Sequence, residues 1–131
     1  MPVIRSADIA VHQVHGSTFS SFVAPSRGST QLCAWQLRVP AGLTGAAHRP
    51  TRDEVLLLLD GELTVTLDGT ATELAAGDVV LVPAGSELRV DGGTSDATAW
   101  VTTTPGLEAV MADGSRMAPR GLTKCSGTEF R

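Results

Sequence analysis

Between Gly42 and Gly61 the chain reads G-L-T-G-A-A-H-R-P-T-R-D-E-V-L-L-L-L-D-G, with an unbroken apolar run from Val55 to Leu59. Such a run, closed by the turn dipeptide Asp60-Gly61, is too short for a helix and reads as a strand buried on both faces. Just ahead of it stand His48, which titrates near neutral pH, and an acid, Glu54. Asp53 is an equal candidate for the carboxylate that faces inward. An imidazole and an acid delivered to the mouth of a core strand form a candidate site.

The rest of the chain repeats the strand signature. Its 14 glycines and 7 prolines are scattered as punctuation between short segments rich in Val, Leu and Thr, the pattern of an all-β sandwich or barrel. No segment has the period of an amphipathic helix. Residues 3–14 hold one or two edge strands, and Thr18 to Val23 forms another. From Gln31 to Val39, Cys33, Trp35, Leu37 and Val39 alternate with Ala34, Gln36 and Arg38. Leu63, Val65 and Leu67 alternate with threonines, and Asp68-Gly69 turns that strand back into Thr70–Leu74. Val79–Val82 reads as a second strand apolar on both sides. Glu87–Val90, Ala97–Thr104 and Leu107–Met111 complete about ten short strands, which close into a double sheet or barrel.

Composition excludes several function classes. At 131 residues the chain holds one domain, expected over 1–112, with an irregular tail over 113–131. The end, Gly127-Thr-Glu-Phe-Arg131, reads as a cloning-derived extension. A hydrophobic content of 42% with 18% charged residues is that of a soluble globular protein. The net charge of -4, with no basic cluster, argues against nucleic acid or an anionic membrane as partner. There is no apolar signal region and no run long enough to span a bilayer, so a cytoplasmic location is expected. Cys33 and Cys125 have no motif spacing and read as inert thiols.

Spacing then becomes specific. Gly42, five residues, His48, one residue, Pro50, three residues, Glu54, six residues, Gly61 resembles the first cupin motif. Gly77, five residues, Pro83, one residue, Gly85, two residues, Leu88 resembles the second. The resemblance implies an RmlC-like jelly-roll barrel, a double-stranded β-helix, and in that family the motifs supply a divalent-metal site of three histidines and a glutamate. Here His48 and Glu54 match ligand positions, whereas Pro50 and Leu88 stand where two histidines would be. A catalytic metal usually takes three protein ligands, so the expectation is no cofactor. The alternative is Fe, Ni, Mn or Zn on His48 and Glu54, with His12, His15, Cys33 or Gln36 as stand-ins.

Without metal, His48 and Glu54 are expected to work as a hydrogen-bonded pair, the carboxylate raising the imidazole pKa. Arg38 is the third catalytic candidate, a paired donor for a substrate oxygen, if its face of the strand lines the barrel. Gln36, Trp35, Leu88 and Trp100 are the candidate substrate contacts; the competing reading puts Gln36 and Arg38 in solvent and the tryptophans in the core. The expected function is acid–base chemistry on an organic metabolite, of isomerase, dehydratase or cyclase type. A non-catalytic metabolite-binding cupin and a dioxygenase-like cupin with a reduced ligand set are the alternatives. Family analogy adds a homodimer.

Overall fold

The computed structural model describes residues 3–117. Cys125 and the 127–131 segment lie outside the described residues. Twelve strands are present among them: β1 (Ala10–Val14), β2 (Ser17–Val23), β3 (Cys33–Val39), β4 (His48–Pro50), β5 (Glu54–Asp60), β6 (Leu63–Leu67), β7 (Thr70–Leu74), β8 (Val79–Val82), β9 (Leu88–Gly92), β10 (Ala97–Thr103), β11 (Ala109–Met111) and β12 (Arg116–Met117). They form two six-stranded sheets, in the orders β1-β2-β3-β10-β5-β8 and β12-β11-β4-β9-β6-β7, with antiparallel pairing throughout. The fold is the all-β jelly roll that the family resemblance implied. The described residues include no helix long and apolar enough to cross a membrane.

Two strands exceed the sequence expectation. β4 is the three-residue segment that carries His48, and β12 lies where an irregular tail was expected, pairing Met117 with Ala109 and Arg116 with Val110. Both are too short for a periodicity of two to register.

Alternation places the core. In β10, Ala97, Ala99, Val101 and Thr103 are buried while the residues between them are half-exposed. β5 obeys the same rule in spite of its apolar run: Leu56 and Leu58 are buried, but Val55 is 40% and Leu59 49% exposed. In β8, Val79 and Leu81 are each 59% exposed. Neither strand is buried on both faces. β8 is the terminal strand of its sheet, and no second layer among the described residues covers the outer face it shares with β5.

The β1–β2 hairpin turns on His15 and Gly16, whose φ angles are 50° and 83°. That is the left-handed pair a type I′ turn requires, and glycine supplies the second position without strain. The turn carries His15 to the mouth of the cavity described next.

Candidate functional site

Between the two sheets lies a cavity of about 130 Å³. Its wall is mostly apolar, with Phe19, Trp35, Leu37, Leu56 and Val101 among its residues. The four motif positions His48, Pro50, Glu54 and Leu88 all line it. They reach it from β4, β5 and β9, where His48 faces Leu88 directly in the register of the β4–β9 pair.

His48 is held by its own strand entry. Its Nδ1 lies 3.0 Å from the Ala46 carbonyl oxygen, which can only accept, so Nδ1 carries the proton and Nε2 keeps its lone pair. Burial lowers the pKa of His48 below the usual histidine value; the bond to Ala46 opposes that shift, and the nearby His15 adds to it. The imidazole is therefore neutral at neutral pH. A raised pKa through pairing with Glu54 was expected; burial produces the opposite, and the ring's hydrogen-bond partner is the Ala46 carbonyl and not a carboxylate.

Glu54 opens β5 with its side chain turned inward and only 9% of the residue exposed. Desolvation raises its pKa from 4.5 to about 7. No hydrogen bond to its carboxyl occurs among the described residues, so nothing offsets the burial. Asp53 faces away, its carboxylate accepting the Ala84 N–H at 2.7 Å. The rim arginines are engaged elsewhere: Arg49 with Glu87 and the Gly85 carbonyl, Arg52 with the Pro105 carbonyl.

Trp35 is 3% exposed, and its indole Nε1 is buried without a hydrogen-bond partner. A buried donor left unmade costs about 1–3 kcal/mol. The strand phase that turns Trp35 inward turns Gln36 and Arg38 outward. Arg38 sits opposite Thr98 on the outer face, 3.4 Å from Asp96. Gln36 sits opposite Trp100, whose ring packs on Phe22 with centroids 5.4 Å apart. Arg38, Gln36 and Trp100 therefore do not line the cavity, whereas His48, Glu54, Trp35 and Leu88 do. Cys33 is fully buried in the core away from it, and His12 does not line it.

Three polar residues join the site that motif spacing did not select as functional: His15, Ser17 and Glu108. The His15-Gly16 dipeptide was the available signal for the first. Glu108 comes from an irregular stretch before β11 and pairs with Arg116 at 3.1 Å.

The donor set does not fit a divalent metal. Pro50 offers no side-chain donor and Leu88 is apolar, and no group of three or more His, Cys, Asp or Glu side chains among the described residues could hold an ion.

Comparison with known proteins agrees with this architecture. The chain is 33% identical over 109 residues to the endoribonuclease YbeY of Myxococcus xanthus (strain DK1622), covering 80% of this chain and 36% of that protein. The chain thus spans about a third of that relative's length. A polyketide cyclase, RemF from Streptomyces resistomycificus, has a similar fold, with a TM-score of 0.72, 14% identity, and coverage of 91% of this chain and 83% of that one. An RmlC-like cupin from Shewanella frigidimarina is similar with a TM-score of 0.67, 20% identity, and coverage of 77% and 87%. Residues 35–104, which contain both spaced motifs, match the family model described as a cupin domain. The chain belongs to the cupin family.

Proposed function

We propose that this cupin is an enzyme acting on a small organic molecule by proton transfer between a carboxyl acid, Glu54, and an imidazole base, His48. One observation carries the reading: a single apolar cavity holds an acid whose pKa is raised to about 7 and an imidazole kept neutral with Nε2 free. In water a carboxylic acid and an imidazole would exchange the proton and form an ion pair. Burial disfavours both charged forms, so neutral acid and neutral base coexist near pH 7.

Such a pair can enolise a carbonyl compound. His48 Nε2 takes a proton from the carbon next to the carbonyl as the Glu54 O–H gives one to its oxygen. In an α-hydroxy ketone, His48 returns its proton to the former carbonyl carbon while the neighbouring hydroxyl gives its proton to the Glu54 carboxylate, which isomerises the molecule; in a β-hydroxy ketone, His48 protonates the departing hydroxyl, which leaves as water while the Glu54 carboxylate takes back the enol proton, which dehydrates it. The fold likeness to a polyketide cyclase agrees with acid–base work in such a barrel. Among the described residues no arginine or lysine lines the cavity, which supports an uncharged metabolite and not a nucleic acid as the substrate. No metal enters this reading.

The test is exchange of α-protons for deuterium in D₂O, followed by NMR across uncharged six-membered ketones and hydroxy ketones. Catalysed exchange is expected, falling by about 10²–10⁴ in His48→Ala with little change in melting temperature. Exchange no faster than in the denatured control throughout the panel, or unchanged in His48→Ala, would sink the proposal.

We further propose a cytoplasmic homodimer joined through the outer face of β5 and β8. The support is the exposure of Val79 and Leu81 on the terminal strand β8, whose far edge is unpaired among the described residues, and of Val55 and Leu59 on the neighbouring β5.

A further inference from the structure

We infer that His15, together with Ser17, is a specificity-determining contact at the mouth of the cavity, where the pair takes a hydroxyl group of the substrate. The inference rests on the reading of the cavity as the reaction site and narrows the carbonyl compounds that enter it to hydroxylated ones.

Two tight turns of one kind set His15 apart. His15-Gly16 joins β1 to β2 with φ angles of 50° and 83°, and Asp68-Gly69 joins β6 to β7 with 48° and 85°. Aspartate and asparagine are the non-glycine residues that such a turn favours. Asp68 also uses its side chain locally, its carboxylate accepting the Glu87 N–H at 2.9 Å. No hydrogen bond or ion pair to the His15 ring occurs among the described residues, and His15 lines the cavity instead. The histidine adds nothing to the turn that an aspartate would not.

The hairpin is fixed where it stands. A Cβ on Gly16 would lie 2.7 Å from Leu43 Cδ1, so the turn sits directly on the loop that leads into β4. His15 and Ser17 both line the cavity, as do Ala46 and His48 beyond that loop. The charge of His15 is felt at His48, whose pKa it helps to lower. His15 is exposed and Ser17 half-buried, so neither polar side chain is sealed in the core. Glu108, also on the wall, is already paired with Arg116.

Size and chemistry then name the group. A cavity of about 130 Å³ is close to the volume of about 150 Å³ at which an engineered apolar cavity admits benzene, so a ring fills it and a substituent reaches the mouth. A neutral imidazole offers one N–H donor and one acceptor nitrogen, and a serine hydroxyl offers one donor and two lone pairs. A substrate hydroxyl donates to one of them while it accepts from the other. An ether oxygen only accepts, and a methyl group does neither. A site that hydrogen-bonds its ligand discriminates against the isostere lacking that group more strongly than against a change of one methylene.

The probes are 4-hydroxycyclohexanone and 4-methylcyclohexanone, near-isosteres that differ in the hydroxyl. Each is titrated into the full chain while the histidine ring signals are followed by NMR, the His15 signals being those lost in His15→Gly. The hydroxy ketone is expected to bind about tenfold tighter than the methyl ketone and to move the His15 signals. Glycine fits the left-handed turn position, so His15→Gly should keep its melting temperature. In that variant the preference should fall to about twofold or less, and in Ser17→Ala it should fall part of the way. Equal affinities in the unaltered protein, or a preference that survives intact in His15→Gly, would overturn the inference, as would failure of both probes to bind. The comparison within the unaltered protein needs no variant, so misfolding of either one leaves the test decisive. Hydroxyl preference without α-proton exchange would strike the proposed reaction and leave this assignment standing; exchange without the preference would do the reverse.

Discussion

His48 on β4 and Leu88 on β9 face each other across the strand pair, an imidazole set against an apolar side chain at the wall of one cavity. Both belong to spaced motifs whose family places metal ligands at these positions and at the position of Pro50. Pro50 offers no side-chain donor and Leu88 is apolar. Imidazoles at both positions should create ion binding. In the double variant Pro50→His with Leu88→His, Ni²⁺ or Zn²⁺ at about a hundred times Kd should add about 2.7 kcal/mol of stability, read as a rise in melting temperature. The unaltered chain should show no such rise. An equal rise in both proteins would mean that the ion binds elsewhere.

Glu54 makes stability depend on pH in an unusual direction. Unfolded, it loses its proton near pH 4.5; folded, it holds it to about pH 7. Between those values the folded state binds more protons, so this group's contribution falls as pH rises, and it levels off above about pH 7. The displacement is worth about 3 kcal/mol at about 1.4 kcal/mol per tenfold. Glu54→Gln should therefore melt above the unaltered chain at pH 8, by on the order of 10 °C for a domain of this size. The two curves should converge toward pH 4.5. A constant difference at every pH would show that Glu54 titrates normally.

His48 adds the complementary limb. Its folded pKa is depressed, so below pH 6.5 the unfolded chain takes up a proton that the folded chain resists, and stability falls with acid. The orientation of the ring depends on Gly45. A Cβ at residue 45 would collide with the Val90 backbone carbonyl, and the Gly45 N–H is held by Asp91 at 2.9 Å. Gly45→Ala should push the 45–46 segment off β9, loosen the Ala46–His48 bond, and let the imidazole ¹⁵N shifts report mixed tautomers. Unchanged shifts in a folded Gly45→Ala protein would show that Ala46 does not set the tautomer.

Much of this is legible in the sequence, and most of what is not has one physical origin. The period-two pattern of β3 separated Trp35 from Gln36 and Arg38 without revealing which set looks inward. Period is a property of the strand, whereas phase belongs to the sheet that packs on it. Arg38 and Gln36 thus stayed candidates until the register with β10 placed them opposite Thr98 and Trp100. Val55–Leu59 and Val79–Val82 failed in the same way. An uninterrupted apolar run is equally the signature of a strand buried on two sides and of a strand with an uncovered sticky face. Glu54 and His48 were found because their motif spacing fixes both the turn and the strand start; Glu108 had no such frame around it.

The uncovered face gives the last expectation. Val79 and Leu81 alternate with the inward Val80 and Val82, so their side chains and those of Val55 and Leu59 form one apolar band at the sheet's end. A monomer leaving that band in water risks edge-to-edge association, which natural sheets suppress with charge or proline on the edge strand. Val79 to Val82 carries neither, and Pro83 follows only after the strand ends. Pairing of two copies about a twofold axis would bury the band and satisfy the free edge at once. In light-scattering-coupled chromatography the unaltered protein should therefore run at twice its 13.6 kDa chain mass. The pair Val79→Lys with Leu81→Lys should run at the chain mass and stay folded, since both side chains already point away from the core. A monomer in the unaltered protein, or a dimer that survives both lysines, would place the contact elsewhere.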